Sequence, residues 1–253
     1  MKDTDIVIQG GLWLETIPLA ERYLKLDFVK NVFISTWTNE QEKVKDYKGK
    51  VKLNFSDLPK EDGGGNVNLQ IISSYNGIKA CKSENVVKMR SDQTILDDDM
   101  YKMNLFYKEN LTGNEVFVLG LMGLELPSHP YHPQDHVFWG KKNNVLEVFN
   151  IPLSNWESYK TNVNFATNMR SPMYIGTHAY SKISKKALIH LNNANEYLLD
   201  NAPKRDKAFE EYKKIREQCF KSFPKINMIW HKYGNQNYPY SFYHEQGERY
   251  HDQ

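Results

Sequence analysis

The sequence lacks the features that mark membrane and secreted proteins. No apolar run among its 253 residues approaches the roughly 18 to 20 residues that a membrane span needs. The first residues, MKDTDIVIQGG, lead directly into a predicted strand and do not have the profile of a signal peptide. We therefore expect a cytoplasmic protein without a membrane span, while a peripheral contact with a membrane stays open.

The chain also has few cysteines and little net charge. The two cysteines, Cys81 and Cys219, have no metal or redox spacing, which is typical of a chain in a reducing compartment. Lysine and arginine number 33 against 31 acidic residues, so the net charge is only +2. The basic pairs Lys185-Lys186 and Lys204-Arg205 fit solvated helix faces. We therefore expect no nucleic-acid partner.

Apolar strands alternate with segments of helical period along the first half of the chain. This order predicts an α/β fold with a central, mostly parallel sheet flanked by helices, and a helical C-terminal part. The tyrosine-rich last 20 residues predict a tail, either wrapped or disordered. We predict strands at 5–10, 31–37, 50–55, 86–92 and 116–123, a loop running into a strand and a turn at 128–142, and helices at 16–26, 66–83, from 97 onward, at 184–200 and at 204–223.

The strand VVKMRSD, residues 86–92, is an apolar run that ends in Arg90, Ser91 and Asp92. Such a run is typical of a strand buried on both faces. Ligands of open α/β sheets bind outside the carboxyl ends of the strands, so these three side chains would project into a binding crevice. The residues that end the first two strands would line the same crevice: Gln9, Gly10, Thr36 and Trp37.

A loop with three consecutive glycines, SDLPKEDGGGN, precedes the helix predicted at 66–83. Glycines allow the backbone to approach a ligand closely. Asn66, Asn68 and Gln70 follow, and their neutral amides suit a pyrimidine edge or sugar hydroxyls. The alternative is that they cap the helix that begins there.

The stretch Asn76–Ala80 on a helix, followed by VVKMRSD, resembles the nucleotide-binding part of A-type (GT-A) glycosyltransferases. In that family a helix with a related pattern precedes an apolar strand that ends in Asp-x-Asp. This chain departs from the pattern at Arg90, which stands where the first acid would be and leaves Asp92 alone.

A closer resemblance is to the WavE family of lipopolysaccharide-synthesis proteins. It rests on DIVIQG, FISTW, NVNLQIISSYNGIKA and VVKMRSD, in that order, and more weakly on QDHVFWG, so it covers roughly residues 3–150. It implies a nucleotide-sugar-binding GT-A-like core at 1–150, with the acceptor side and helical part at 151–253 of the same domain. The implied function is transfer of a sugar from a UDP-, GDP- or dTDP-linked donor to a glycan, glycolipid or glycoprotein acceptor in polysaccharide biosynthesis.

The departing diphosphate of such a donor carries charge that must be offset. Asp92 offers a hard oxygen ligand for Mn2+ or Mg2+, and Arg90 offers a planar guanidinium that can pair with phosphate directly. The alternative to a binding role is a turn or a helix cap for Asp92, and a structural salt bridge for Arg90. His178 is a candidate second metal ligand of the kind that some A-type enzymes use, and its alternative is a structural histidine.

The segment SHPYHPQDHVFWG holds the candidate catalytic residues. Asp135 is the candidate base for the acceptor hydroxyl, and His136 either orients Asp135 or is the base itself. The histidines near Asp135 do not predict a zinc site, because two prolines interrupt any helix that would set the ligand spacing. The sequence does not distinguish inverting from retaining transfer.

Two other functions compete with glycosyl transfer. A sugar-phosphate nucleotidyltransferase would need a basic residue in its first glycine loop, and QGGLWLET has none. A non-catalytic sugar- or nucleotide-binding module of the same fold fits the missing first acid. The presence of Arg90, Asp92 and Asp135 together argues against such a module, because a protein without catalysis would not need all three.

Overall fold

The structure, a computed structural model, describes residues 2–120, 133–154, 171–182, 210, 218–224, 226–230 and 236–239. Strands form two sheets, the larger with seven strands and the smaller with three. The strands are β1 (Thr4–Gln9), β2 (Val29–Trp37), β3 (Lys52–Ser56), β4 (Asn85–Arg90), β5 (Gln93–Ile95), β6 (Val116–Val118), β7 (Val137–Lys141), β8 (Phe220–Ser222), β9 (Asn227–Trp230) and β10 (Gln236–Pro239).

The large sheet has the order β3-β2-β1-β4-β7-β6-β8, and the small sheet has the order β10-β9-β5. Strands β1 to β4 are mutually parallel, and β8 is parallel to β6. Strand β7 is antiparallel to both of its neighbours, β4 and β6. Six of the seven strands therefore share one direction, and the predicted α/β fold class with a mostly parallel central sheet flanked by helices is confirmed.

Helices cover both faces of the large sheet. They are α1 (Thr16–Tyr23), α2 (Val67–Ala80), α3 (Asp97–Asn110), α4 (Lys142–Phe149) and α5 (Ser171–Ser181), with a 3-10 helix at Thr38–Val44. Helices α2, α4 and α5 contact one another and share one apolar cluster with the sheet, which includes Ile71, Val145 and Ile175. Helices α1 and α3 pack in a second cluster that includes Ala20 and Met103. No helix among the described residues is both long and apolar enough to cross a bilayer.

The local sequence explains these elements. All six residues of β1 are buried, as expected for a central strand covered on both faces. Three acids, Asp97, Asp98 and Asp99, occupy the first turn of α3, where they complement the helix dipole. Helix α2 approaches the sheet at Gly77, where an added Cβ would lie 2.5 Å from Cγ1 of Val7.

The second half of the chain departs from the sequence prediction in three places. Residues 142–149, where the sequence predicted only a turn ending at Lys142, form α4. Residues 220–222, predicted as the end of a helix, form β8, because Phe220 is buried and pairs with Val116 of β6. Residues 236–239, predicted within the tail, form β10. The helix predicted at 184–200 and most of that at 204–223 lie outside the described residues.

Candidate functional site

Strands β1 and β4 end side by side at one edge of the sheet, where Gln9 pairs with Arg90. Just beyond this pair the backbone amide of Ser91 donates a hydrogen bond to the carbonyl of Gln9, at 2.9 Å. Gly10 has a φ of +123°, and an added Cβ would lie 2.7 Å from Oγ of Ser91. Glycine is therefore required at this position by both backbone conformation and space. The predicted residues Gln9, Gly10, Arg90 and Ser91 do lie together.

Strand β7 begins at this same edge because it runs opposite to β4. Met89 near the end of β4 pairs with Val137 at the start of β7, so the residues that precede β7 reach the polar end of β4. Nη1 of Arg90 lies 3.2 Å from Oδ2 of Asp135. The antiparallel strand thus brings together the two stretches that the sequence singled out separately.

Arg90 lies between two carboxylates. Its Nε and Nη2 donate to Oδ1 and Oδ2 of Asp92, at 3.0 and 2.8 Å, while Nη1 donates to Asp135. The side chains of Asp92 and Asp135 are 10% and 9% exposed, and that of Arg90 is 27% exposed. We call Asp92, Arg90 and Asp135 the acid–arginine cluster. Buried charges of this kind persist only when they are paired.

The electrostatics of the cluster keep Asp135 ionised. Burial by itself would raise the pKa of Asp135, but the Arg90 guanidinium and a 2.7 Å hydrogen bond from Nε2 of Gln70 hold that pKa well below its usual range. Gln70, which was predicted as a ligand-binding amide, thus donates a hydrogen bond from its amide nitrogen to Asp135.

Lys88, which was not predicted from the sequence, lies next to the acid–arginine cluster. It is fully buried in β4, and its ammonium donates to the backbone carbonyl of Asp135 at 2.8 Å. Burial lowers the pKa of Lys88 to about 7, although the charge of Asp135 opposes this shift. The available signal was a lysine with apolar residues on both sides in a strand predicted to be buried on both faces.

His136 is neutral in this environment. Burial lowers its pKa to about 3, although Asp135 beside it opposes the shift. Nδ1 of His136 lies within hydrogen-bonding distance of Nε2 of Gln93, and an amide that donates to Nδ1 places the ring proton on Nε2. In this tautomer Nδ1, which lies 3.9 Å from Oδ1 of Asp135, has no proton to donate to that carboxylate. The roles predicted for His136, orienting Asp135 or acting as the base, stay predictions.

Helix α2 holds Gln9 in place. Oγ of Ser73 donates to Oε1 of Gln9 at 2.6 Å, and Oγ of Ser35 donates to the carbonyl of Ser73 at 2.7 Å. These bonds connect the ends of β1 and β2 to the helix. The position of Gln9 at the crevice is therefore fixed by buried hydrogen bonds.

Glu40, another residue that was not predicted from the sequence, connects the end of β2 with the glycine loop after β1. Its carboxylate accepts hydrogen bonds from Oγ1 of Thr36 and from the backbone amide of Leu12, the latter at 2.8 Å. Thr36 therefore supports the loop through Glu40. Trp37 is buried, which favours a packing role over the predicted place in the lining of the crevice.

Asn66 and Asn68 lie at the start of α2. Asn66 precedes the helix with a left-handed φ of 63°, and no hydrogen bond from its side chain caps the helix. The amide group of Asn68 exchanges two hydrogen bonds with the backbone of Ser154, at 2.9 and 2.7 Å. The side chain of Asn68 therefore joins the glycine-rich loop to the segment after α4.

His178 lies on α5, where its ring packs against Tyr174 with the ring centroids 4.5 Å apart. Burial lowers the pKa of His178 to about 4. Among the described residues, no three His, Cys, Asp or Glu side chains come together in a way that would hold a metal ion. Both oxygens of Asp92 already accept hydrogen bonds from Arg90, so the resting donor set at Asp92 does not fit a cation unless the guanidinium moves.

No protein-family model matches the chain, and no curated protein matches it significantly. The resemblance to the WavE family therefore stays a hypothesis. Solved structures match at low identity. TarS from S. aureus has a TM-score of 0.43 and 14% identity, and the match covers 84% of this chain and 43% of that one. TarS 1–349 in complex with UDP-GlcNAc has a TM-score of 0.40 and 16% identity, over 71% of this chain and 53% of that one.

A third solved structure is 4-diphosphocytidyl-2C-methyl-D-erythritol synthase from Anaerococcus prevotii DSM 20548. It has a TM-score of 0.41 and 10% identity, and the match covers 76% of this chain and 96% of that one. The chain thus spans about half or less of the two TarS chains. These similarities concern architecture alone.

Proposed function

We propose that the chain is a glycosyltransferase that moves a sugar from a nucleotide-sugar donor to a glycan or glycoconjugate acceptor. The observation that supports this proposal is the acid–arginine cluster at the carboxyl edge of the parallel strands. That edge is where open α/β sheets bind their ligands. A buried ion-pair cluster is weak as a device for stability, so a binding or catalytic role explains it better.

Arg90 is proposed to bind the donor diphosphate. It is the most exposed member of the cluster, and its guanidinium can exchange a carboxylate for phosphate oxygens with the same paired geometry. When Arg90 turns to the diphosphate, Asp135 loses part of the positive charge that lowers its pKa. Asp135 would therefore become a stronger base when the donor is bound, which suits removal of the acceptor proton.

A divalent cation, Mn2+ or Mg2+, remains part of the proposal as a candidate cofactor. A cation held by Asp92 would supply further charge compensation to the diphosphate. Because Arg90 occupies both oxygens of Asp92, the cation could bind only after the guanidinium has moved. The role of His178 as a second ligand stays a prediction.

The alternative of a sugar-phosphate nucleotidyltransferase has less support. The loop after β1, residues 10–15, contains no lysine or arginine, and the carboxylate that lies against it belongs to Glu40. A negative group at that place disfavours a triphosphate. The proposed role in polysaccharide biosynthesis, in the cytoplasm, rests on the sequence resemblance to the WavE family.

A thermal-shift screen tests the proposal. The full chain is mixed with UDP-, GDP- and dTDP-linked sugars, with CTP and UTP as the comparison, in Mn2+ and in EDTA. A ligand at 100 times its Kd stabilises the fold by about 2.7 kcal/mol. We expect a shift with the sugars of one nucleotide. A shift with triphosphates alone favours nucleotidyl transfer, and no shift with any compound rejects the donor site.

The same screen tests whether donor binding requires a divalent cation, and a release assay then distinguishes an enzyme from a binding module. A shift that persists in EDTA contradicts the cation at Asp92. Incubation of the shifting donor with the protein is then followed for release of the nucleoside diphosphate. Donor binding without release by the wild type, even with a panel of glycan acceptors, favours the non-catalytic module.

A further inference from the structure

Lys88 has an unusual position for a lysine, in the middle of the central sheet. It pairs with Val7 of β1 on one side and with Phe138 of β7 on the other. Its Nζ lies 5.3 Å from the ring centre of Phe138 and 5.4 Å from that of Phe149. The same atom donates to the backbone carbonyl of Asp135 at 2.8 Å. The ammonium group thus lies between two aromatic rings and the backbone carbonyl of Asp135 in the candidate site.

Stability alone does not explain a lysine here. Burying an ammonium group costs free energy, and an apolar side chain of similar length would fill the same space beside Phe138 and Phe149 without that cost. Lys88 also points to the same face of β4 as Arg90, two residues further along the strand. Its head group therefore lies on the same side of the sheet as the side chain of Arg90.

The charges of the site balance only when Lys88 is counted. Asp92 and Asp135 contribute two negative charges and Arg90 one positive charge, which leaves −1. A protonated Lys88 brings the sum to zero. A site with a net negative charge repels a diphosphate, whereas a neutral site allows Arg90 to exchange its carboxylate partner for the ligand.

We propose that Lys88 is a positioning residue of the donor site, which fixes the Asp135 carbonyl and supplies the buried positive charge that lets the cluster accept an anionic donor. This inference rests on the proposed function. It concerns a residue that acts through Asp135 and does not touch the donor itself.

The charge of Lys88 gives the site a pH dependence. The charged groups that act on it are Asp135, Arg90 and Asp92, and the titratable His136, which is neutral here, also interacts with it. Its head group contacts the rings of Phe138 and Phe149. Burial lowers the pKa of Lys88 to about 7, so the ammonium loses its proton as the pH rises through that value. The affinity for an anionic ligand should therefore fall from pH 6 to pH 8.5 in the wild type.

The test compares Lys88→Met and Lys88→Arg in the full chain with the wild type, and Lys25→Met, at an exposed position, serves as the control. The probes are UDP, GDP and dTDP, and the Kd of the tightest is measured by calorimetry from pH 6 to pH 8.5. Urea unfolding is measured on the same samples. We expect Lys88→Met to weaken binding about tenfold at pH 6, as loss of one buried charge implies, and to remove the fall with pH.

Lys88→Arg, which keeps its charge, should bind with a flat pH profile near the strong value, and Lys88→Met should be at least as stable as the wild type at pH 6. A Lys88→Met protein that is less stable but binds normally would make Lys88 a structural residue and overturn the inference alone. Equal affinity in wild type and Lys88→Met would do the same. If the wild type binds none of the three diphosphates, the proposed function fails and this inference fails with it.

Discussion

Asp135 receives contacts from three residues of the site. Gln70 and Arg90 donate to its carboxylate, and Lys88 donates to its carbonyl. The carboxylate and the carbonyl therefore have separate partners. A substitution of the carboxylate alone leaves the Lys88 hydrogen bond in place, which allows the chemical role of Asp135 to be tested without removing its anchor.

Asp135→Asn should separate binding from transfer. The amide keeps the shape of the side chain and removes its negative charge, so donor affinity should be kept or improved while the transfer rate falls about 10²- to 10⁴-fold through loss of the base. Donor Kd and single-turnover transfer are measured on the same protein. Asp98→Asn, an exposed change in α3, is the matched control. Transfer at the wild-type rate by Asp135→Asn would remove Asp135 from the catalytic role.

Arg90→Met should leave two carboxylates buried next to each other. Removal of one partner from a buried ion pair typically costs about 3–5 kcal/mol, because the remaining charge is uncompensated. The folded pKa of Asp135, which the guanidinium lowers in the wild type, should then rise above its unfolded value because burial acts without that charge. Protonation therefore restores stability as the pH falls, and the loss should be larger at pH 8 than at pH 5.

Urea unfolding at the two pH values measures this effect. Lys45→Met, which removes the partner of an exposed carboxylate, Glu42, should change stability little at either pH. An Arg90→Met protein with the same stability as the wild type at pH 8 would show that the acid–arginine cluster is not held by the guanidinium.

The main site residues were predictable from sequence because strand ends are local features. Arg90, Ser91 and Asp92 follow an apolar run, and Asp135 precedes another. Their partners were not predictable, because Gln70 and Asp135 are 65 residues apart and meet only through the strand order. The lysine at position 88 was missed because a charged residue within an apolar run gives no sign of which groups surround it.

At the scale of elements, the contact between α2 and the sheet depends on the absence of a side chain at Gly77. An added Cβ would lie 2.5 Å from Cγ1 of Val7 and 2.8 Å from Cβ of Ser35. These are side chains of two central strands, and neither is a flexible chain end. Helix α2 also supplies Gln70 and Ser73 to the site, so its distance from the sheet matters for both stability and binding.

Gly77→Ala should destabilise the fold by about 1–3 kcal/mol, because the added methyl group forces α2 away from β1 and β2. Gly113→Ala is a suitable control, since an added Cβ there lies 3.5 Å from its nearest neighbour, Oε2 of Glu115. Urea unfolding of both variants gives the difference. Equal stability of Gly77→Ala and the wild type would mean that α2 packs less closely than the structure indicates.

The regular elements of the first half were predictable and those of the second half were less so. Strands β1 to β4 follow the expected alternation with helices, since each is an apolar run bounded by polar residues. Strands β5, β6 and β8 have three residues each, too few for a period to be read. Helix α4 begins directly at the end of β7, so the residues Lys141 and Lys142 gave the pattern of a turn.

At the scale of the whole molecule, the C-terminal part completes the N-terminal part. Strand β8 pairs with β6 in the large sheet, and Phe220 is fully buried there. Tyr174, Ile175 and Tyr180 of α5 belong to the same apolar cluster as α2 and α4. These contacts join residues on both sides of position 150, and the predicted division of one domain into a core at 1–150 and a second part at 151–253 stays a prediction.

A fragment of residues 1–150 should not fold cooperatively on its own. It would expose the surface of α2 and α4 that α5 covers and would leave β6 without its partner β8. Circular dichroism and urea unfolding of the fragment, compared with the full chain, measure this. A sharp transition with the stability of the full chain would show that the first 150 residues form a domain by themselves.

The reversed direction of β7 has a consequence for folding kinetics. Arg90 and Asp135 are 45 residues apart and meet only after β7 has entered the gap between β4 and β6. Contacts between residues this far apart in sequence lose loop-closure entropy before their favourable interactions form. They therefore form late. The pairing of β1 with β4 joins residues that are even further apart in sequence, such as Gln9 and Arg90, so it carries the same entropic cost. The helices, whose contacts are local, can form earlier. Binding competence should therefore be acquired near the end of refolding, after most of the helical signal has returned.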